Sequence, residues 1–154
     1  MTAIPEAGEQ DLQTMFRLLN EIGIIAQLSG NAFEKVMPEG LTLPQFVVLN
    51  HLTRLGGNRT PLQIARAVQV TKGAMTNTLS HLERAGHIAV VPDAKDGRSK
   101  RVDITPSGSA AREAAVRAMA PELAAATAAV APETVRRILP HLEALRAFLD
   151  HRRD

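Results

Sequence analysis

Between residues 60 and 105 the hydrophobic pattern changes from a helical period to a strand period. Thr60-Pro61-Leu62-Gln63 is typical of a helix start, because threonine caps the helix, proline suits its first turn and glutamine completes a capping box. A second short helix begins at Val70-Thr71, and in it Met75, Leu79 and Leu82 have the spacing of one buried face. Two short helices joined by a tight turn predict a helix-turn-helix.

A two-stranded hairpin is predicted directly after the second helix. Residues 88–91 are rich in β-branched side chains, residues 92–97 supply turn formers, and Val102 and Ile104 alternate with polar neighbours. A helix-turn-helix followed by such a ribbon is a winged helix-turn-helix. The fold class we expect is therefore mainly α (α+β), with a two-stranded wing.

Further helices are predicted on both sides of this lobe. One covers residues 11–37, a second begins at the cap Thr42, an alanine-rich helix runs from Thr105 to about Val130, and the last begins at Pro132 with a kink expected at Pro140. The first and last of these carry more apolar positions than the small lobe can cover. We expect them to pair between two copies of the chain, the alternative being that they fold back on one copy.

This pattern divides the chain into three regions. They are an N-terminal dimerisation helix at residues 1–40, a winged helix-turn-helix DNA-binding lobe at residues 41–105, and C-terminal dimerisation helices at residues 106–154. The apolar side chains expected to be buried between two protomers are Leu12, Phe16, Leu19, Ile138, Leu142, Leu145, Phe148 and Leu149.

Charge is distributed unevenly, although the formal net charge is only +2. Lysine and arginine exceed aspartate and glutamate by five between residues 59 and 101, whereas residues 1–58 carry three more acidic than basic side chains. Because this excess coincides with the helix-turn-helix, it favours a polyanionic partner, double-stranded DNA, over a merely solvated face.

The second helix of the motif has a polar face opposite its apolar one. The candidate DNA-binding residues at this motif are Thr60, Thr71, Lys72, Gly73, Thr76, Asn77, Ser80 and His81. Small hydrogen-bonding side chains suit a major groove, and a helix N-terminus suits a phosphate. Since asparagine can pair with adenine, Asn77 indicates half-sites that lean towards A·T pairs.

The turn of the predicted hairpin adds four further candidates. Lys95, Arg98, Ser99 and Lys100 lie on it, together with Arg101 at its end. An arginine on a thin ribbon suits a narrow minor groove. An ordinary charged hairpin that resists aggregation has a similar composition, so the wing alone does not decide the function.

Taken together, these segments resemble the MarR family of bacterial transcriptional regulators. The matching segments are Leu41 to Phe46, Thr60 to Ala65, Thr71 to Thr76, Leu82 to Gly86 and Asp96 to Thr105. The resemblance implies a homodimeric repressor that binds pseudo-palindromic operators and responds to a small-molecule effector. It also implies DNA contacts at Thr71, Lys72, Gly73, Thr76, Asn77 and Arg98, while Asn77 and His81 stand where the family often has arginine.

Other classes of function find little support in the residues. The sequence has no cysteine, no Walker loop, no Gly-x-Ser-x-Gly motif and no histidine pair with metal-ligand spacing, so we expect no enzyme, metal or cofactor. Without a signal peptide or a membrane-length apolar stretch, we expect a cytoplasmic location. The remaining alternative is a winged-helix module that binds protein without a specific DNA target.

Overall fold

The computed structural model describes residues 7–153. Its elements are α1 (Glu9–Val36), α2 (Leu43–Leu55), α3 (Pro61–Val68), α4 (Lys72–Arg84), β1 (Ile88–Pro92), β2 (Lys100–Ile104), α5 (Pro106–Ala118), α6 (Ala120–Ala129) and α7 (Pro132–His151). They form two compact units, one that ends at Lys35 and one that begins at Val36. No helix in this range is long and apolar enough to cross a membrane.

The N-terminal unit is the 28-residue helix α1. Glu9 and Asp11 lie in its first turn and Lys35 in its last, an arrangement that complements the helix dipole. None of its residues is buried. The apolar side chains of α1 therefore remain open to a partner.

Threonine caps fix the starts of four helices in the second unit. They are Thr42, Thr60, Thr71 and Thr105, which precede α2, α3, α4 and α5. Each cap accepts a hydrogen bond from an amide that the first helical turn leaves unpaired. Thr42 and Thr60 form both bonds of a capping box. The predicted starts of these helices are confirmed.

The core of the second unit lies among α2, α3, α4, α5 and the hairpin. Its most buried large side chains are Val48, Leu49, Leu52, Ile64, Met75, Leu82 and Val102. Met75, Leu79 and Leu82 are 2%, 6% and 0% exposed, which confirms the predicted inward face of α4. Burial of this face fixes which side of α4 meets solvent.

The hairpin pairs β1 and β2 antiparallel, with Val90 opposite Val102 and Pro92 opposite Lys100. Arg59 adds a short bridge to it. The Arg59 N–H donates to the Val102 carbonyl at 3.3 Å, and the Arg59 carbonyl accepts from the Val102 N–H at 2.8 Å. This unpredicted bridge anchors the ribbon beside the start of α3.

α5 begins where the backbone leaves no room for a side chain at Gly108. A Cβ there would lie 2.0 Å from the carbonyl oxygen of His87. Thr105 holds this approach, because its N–H donates to the same His87 carbonyl at 3.1 Å and its hydroxyl donates to the Gly86 carbonyl at 2.6 Å. Gly86 has φ 76°, a left-handed conformation that glycine adopts without strain just past the end of α4.

The alanine-rich segment forms two helices, so the prediction of one helix to about Val130 is wrong. α5 ends at Ala118 and α6 begins at Ala120. Pro121 has no N–H to donate to the carbonyl of Arg117, and its ring would clash with that carbonyl in a continuous helix. The chain therefore turns at Met119, whose side chain is buried.

Helices α6 and α7 contain no buried residue. α7 continues through Pro140, where the expected kink stays a prediction. Beyond the end of α7, Nη1 of Arg153 donates to the carbonyl of Arg66 at 2.8 Å, which links this segment to α3.

Candidate nucleic-acid interface

α3 and α4 form the helix-turn-helix. Gln69, with φ 57° and ψ 48°, ends α3 in the left-handed conformation, and its N–H bonds to the carbonyls of Ala65 and Arg66. Two residues later the Thr71 hydroxyl accepts the N–H of Ala74 at 3.1 Å and starts α4. This short turn constrains the angle at which α3 and α4 cross.

One row of α4 side chains faces the wing across a cleft of about 800 Å³. Lys72, Thr76 and Ser80 line the cleft from α4, while Arg98, Ser99 and Lys100 line it from the wing and Thr60 from the start of α3. The cleft therefore combines hydroxyls with three cations.

A second row of α4 side chains lies on the other side of the helix. Asn77 and His81 border a groove of about 440 Å³ together with Thr42 and Gln45 at the start of α2. The predicted polar face is thus divided between two grooves, a separation that helical periodicity alone did not indicate. Both rows are exposed.

The N-terminus of α4 is open to a ligand. Thr71, Lys72 and Gly73 are exposed, and an added Cβ on Gly73 would meet nothing within 4 Å. The hydroxyl of Thr71 accepts the Ala74 amide, so its own proton is available to donate. First-turn amides and the helix dipole at this end favour an anion.

Two aspartates build the turn of the wing. Asp93 Oδ1 accepts the N–H of Lys95 at 3.0 Å, and Asp96 Oδ1 accepts the N–H of Arg98 at 3.1 Å. The Asp93 N–H closes the turn by donating to the Ser99 carbonyl at 2.8 Å. The side chains of Lys95, Arg98 and Lys100 are exposed and form no ion pair with any residue from 7 to 153.

Arg101 differs from these three cations because its guanidinium forms an ion pair with Asp93. Its Nε and Nη2 donate to Asp93 Oδ2 at 3.0 and 2.9 Å, and its Nη1 donates to the Asn58 carbonyl at 3.1 Å. The backbone N–H of Lys95 and the guanidinium of Arg101 hold the pKa of Asp93 below its usual value. Arg101 thus anchors the wing to the loop before α3.

The cleft also contains residues that sequence reasoning missed. Leu62, Glu83 and Val90 line it beside the predicted polar side chains. Glu83 follows Thr76 and Ser80 at seven and three residues, so extension of that row by one turn identifies it. Its carboxylate makes one end of the cleft less positive.

One titratable side chain lies in the core, away from this face. His51 is buried in α2, and burial lowers its pKa, with a further lowering from the positive charges of Arg54, Arg59 and Arg153. Among the described residues no group of His, Cys, Asp or Glu could hold a metal ion.

The predicted dimerisation residues lie on the helices that contain no buried residue. Six of them are exposed, Leu12, Phe16, Leu19, Ile138, Phe148 and Leu149, and the most open is Phe16 at 70%. Leu142 and Leu145 are half-buried. Large apolar side chains at this exposure are typical of surfaces that bind another protein.

A MarR family model matches residues 39–99. The chain is 34% identical over 128 residues to the HTH-type transcriptional repressor Mb2911 of Mycobacterium bovis, across 81% of this chain and 90% of that protein. It is 36% identical over 95 residues to the transcriptional activatory protein BadR of Rhodopseudomonas palustris, across 60% of this chain and 53% of BadR. The chain thus spans about half the length of BadR but most of the repressor's.

Among solved structures, the transcriptional regulator BldR from Sulfolobus solfataricus has a TM-score of 0.73 at 23% identity, across 94% of this chain and 99% of that one. This likeness confirms the predicted winged helix-turn-helix fold. The relatives named above are transcriptional regulators rather than enzymes. The chain belongs to the MarR family of DNA-binding transcriptional regulators.

Proposed function

We propose that this protein is a sequence-specific repressor that binds pseudo-palindromic operators as a homodimer. The observation that carries the proposal is the cleft of about 800 Å³ in which the polar row of α4 faces the cations of the wing. A major-groove helix beside a minor-groove ribbon requires this combination of hydroxyls and unpaired positive charges.

In the proposed complex, α4 enters the major groove with its N-terminus first. The amides at Lys72 and Gly73, with the Thr71 hydroxyl, bind a phosphate, and the absence of a side chain at Gly73 lets the backbone approach. Asn77 pairs with adenine through its amide. Exposure of all four residues supports these roles.

The wing binds the adjacent minor groove in this proposal. Arg98 is exposed on a turn whose backbone is held by Asp93 and Asp96. Because this backbone is already ordered, the turn loses little conformational entropy when it binds DNA. Lys95 and Lys100 contribute phosphate contacts on either side. Arg101 is excluded from direct contact because Asp93 and Asn58 already occupy its guanidinium.

Homodimerisation is proposed from the exposed apolar faces of α1 and α7. Phe16 and Phe148 are 70% and 55% exposed in the single chain. Two-fold pairing of such faces removes apolar surface from water at about 25 cal/mol per Å². It also presents two α4 helices to successive major grooves, as palindromic half-sites about one helical turn apart require.

The proposals of repression and of modulation by a small molecule are supported by the relatives and by the family, not by the geometry of the site. Mb2911 is named a repressor and BadR an activatory protein, so the longer alignment, with Mb2911, supports repression. An effector that binds two dimer conformations unequally would shift the spacing of the α4 helices.

The DNA-binding proposal is tested by fluorescence anisotropy at several salt concentrations. The probes are the DNA upstream of the protein's own coding region and a scrambled duplex of equal length. We expect tight binding that prefers the native fragment and weakens steeply with salt, because phosphate contacts release counterions. Equal, weak and salt-insensitive binding to both duplexes would contradict the proposal and favour a protein-binding module.

The dimer proposal is tested by light scattering on Phe16→Glu and Phe148→Glu. Each places a carboxylate on a face proposed to be buried, so we expect monomers at micromolar concentration where the wild type is a dimer. Thr14→Glu and Arg136→Glu are the controls, since each places the same carboxylate at an exposed polar position of α1 or α7, about 160° around the helix from Phe16 and about 120° from Phe148. A monomeric wild type contradicts the proposal.

A further inference from the structure

Arg84 and His81 are paired on the exposed side of α4. Nη2 of Arg84 lies 3.2 Å from Nδ1 of His81, and Nε of Arg84 donates to the Ser80 carbonyl at 3.4 Å. A guanidinium has five N–H donors and no acceptor, so Nδ1 must supply the lone pair in this bond. A neutral imidazole in that state carries its single proton on Nε2.

The position of His81 on α4 determines which groups the Nε2 proton can reach. His81 follows Asn77 by one helical turn, and both border the groove at the start of α2 rather than the wing cleft. Nε2 forms no hydrogen bond with any residue from 7 to 153. The ring therefore offers one fixed donor on the same row that carries the adenine-reading candidate.

We propose that Arg84 positions His81 as a donor-only reader of one base, which accepts guanine and rejects cytosine, the one base with no acceptor on its major-groove edge. Guanine presents two acceptors, N7 and O6, on its major-groove edge, whereas cytosine presents an amino donor. A histidine free to flip could offer either Nε2–H or the Nδ1 lone pair and would tolerate both bases. This assignment rests on the proposed function of α4.

A direct phosphate contact by Arg84 would have different consequences. Loss of a phosphate contact weakens binding uniformly across sequences and lowers the salt slope by about one. Loss of a positioning residue instead changes which base is preferred. Base preference, rather than affinity, therefore separates the two roles.

The experiment is selection of binding sites from random duplexes, followed by affinities for guanine and cytosine at the position that depends on His81. For the wild type we expect guanine to be preferred about tenfold, the scale of one good base contact. We expect Arg84→Met and His81→Ala to bring the two bases to near parity. Arg84→Lys, which keeps a donor and the charge, should restore the preference.

Arg117→Met is the matched control, because it removes the same charge from an exposed arginine of α5 that forms an ion pair with Glu113. It should keep the wild-type preference. If Arg84→Met keeps that preference while His81→Ala loses it, or if both keep it, the positioning role is overturned. Replacement of the selected guanine by 7-deazaguanine should weaken the wild type but not His81→Ala.

Ring-nitrogen NMR on the DNA-free protein tests the pairing without reference to DNA. We expect the Nε2–H form of His81 in the wild type, and an Nδ1–H form overturns the pairing. If the wild type binds no duplex, the proposed function fails and the base assignment fails with it, while the tautomer result still stands.

Discussion

Replacement of Gly108 by alanine should destabilise the protein without touching the DNA-binding face. The new Cβ would lie 2.0 Å from the His87 carbonyl oxygen, 2.9 Å from the carbonyl carbon and 2.9 Å from Cγ1 of Ile104. Since backbone atoms form two of these contacts, the side chain cannot be accommodated by a rotamer change. The first turn of α5 must move away by about 1.5 Å to restore ordinary contact.

The magnitude follows from what that movement disturbs. Overpacking of this kind costs about 1–3 kcal/mol, and the strained bond from the Thr105 N–H to the His87 carbonyl adds about 1 kcal/mol. Arg112 resists the shift because its Nε and Nη2 donate to Asn50 Oδ1 on α2 at 3.2 and 3.0 Å. A loss of about 2–4 kcal/mol corresponds to a fall in Tm of about 4–16 °C for a chain of this size.

Calorimetry or circular dichroism on Gly108→Ala and Gly73→Ala measures this difference. Gly73 is the matched control, because an added Cβ there meets nothing within 4 Å and alanine favours the helix. The control should keep or slightly raise the Tm. A Tm for Gly108→Ala within about 1 °C of the wild type would refute the close approach of α5 to the His87 carbonyl.

Three further substitutions test other parts of the structure. Arg98→Ala should weaken DNA binding by about 1–3 kcal/mol in anisotropy titrations at constant Tm, and unchanged affinity would remove the wing from the interface. Leu79→Ala should cost about 2–5 kcal/mol of unfolding free energy in denaturant, because Leu79 is buried, whereas an unchanged midpoint would reverse the faces of α4. Asp93→Asn should lower the Tm at neutral pH, because the lowered pKa of Asp93 means that its carboxylate stabilises the folded state. That stabilisation is present above the unfolded pKa and is lost as the pH falls through the folded pKa, so the two melting curves should converge below about pH 4.

Local signals in the sequence predicted most of the secondary structure. Threonine followed by proline or by glutamine at the third position marks a helix start through bonds within one turn, so Thr42 and Thr60 could be read without tertiary information. Pro121 is an equally local signal, and it accounts for the division of the alanine-rich segment into α5 and α6. The bridge between Arg59 and Val102 joins distant segments, and no short pattern encodes it.

The candidate site was predicted as a set of residues but not as an arrangement. Periodicity separates the inward face of α4 from the outward one, yet it does not say which neighbour borders each outward row. That depends on where the wing and the start of α2 lie, which the core decides. The same limit applies to Arg101, whose charge looked free in the sequence and is paired in the structure.

On α4 the residues that stabilise the fold are different from those proposed to read DNA, and this difference affects how the preferred operator can change. Met75 and Leu82 hold the helix in the core, whereas the side chains of Asn77 and Ser80 form no hydrogen bond with other residues of the described chain. Exchanges at those two positions carry little folding penalty, so a lineage can drift from one operator to another through stable intermediates. The same independence makes Asn77 and Ser80 the natural positions to randomise when a regulator is retargeted to a new promoter.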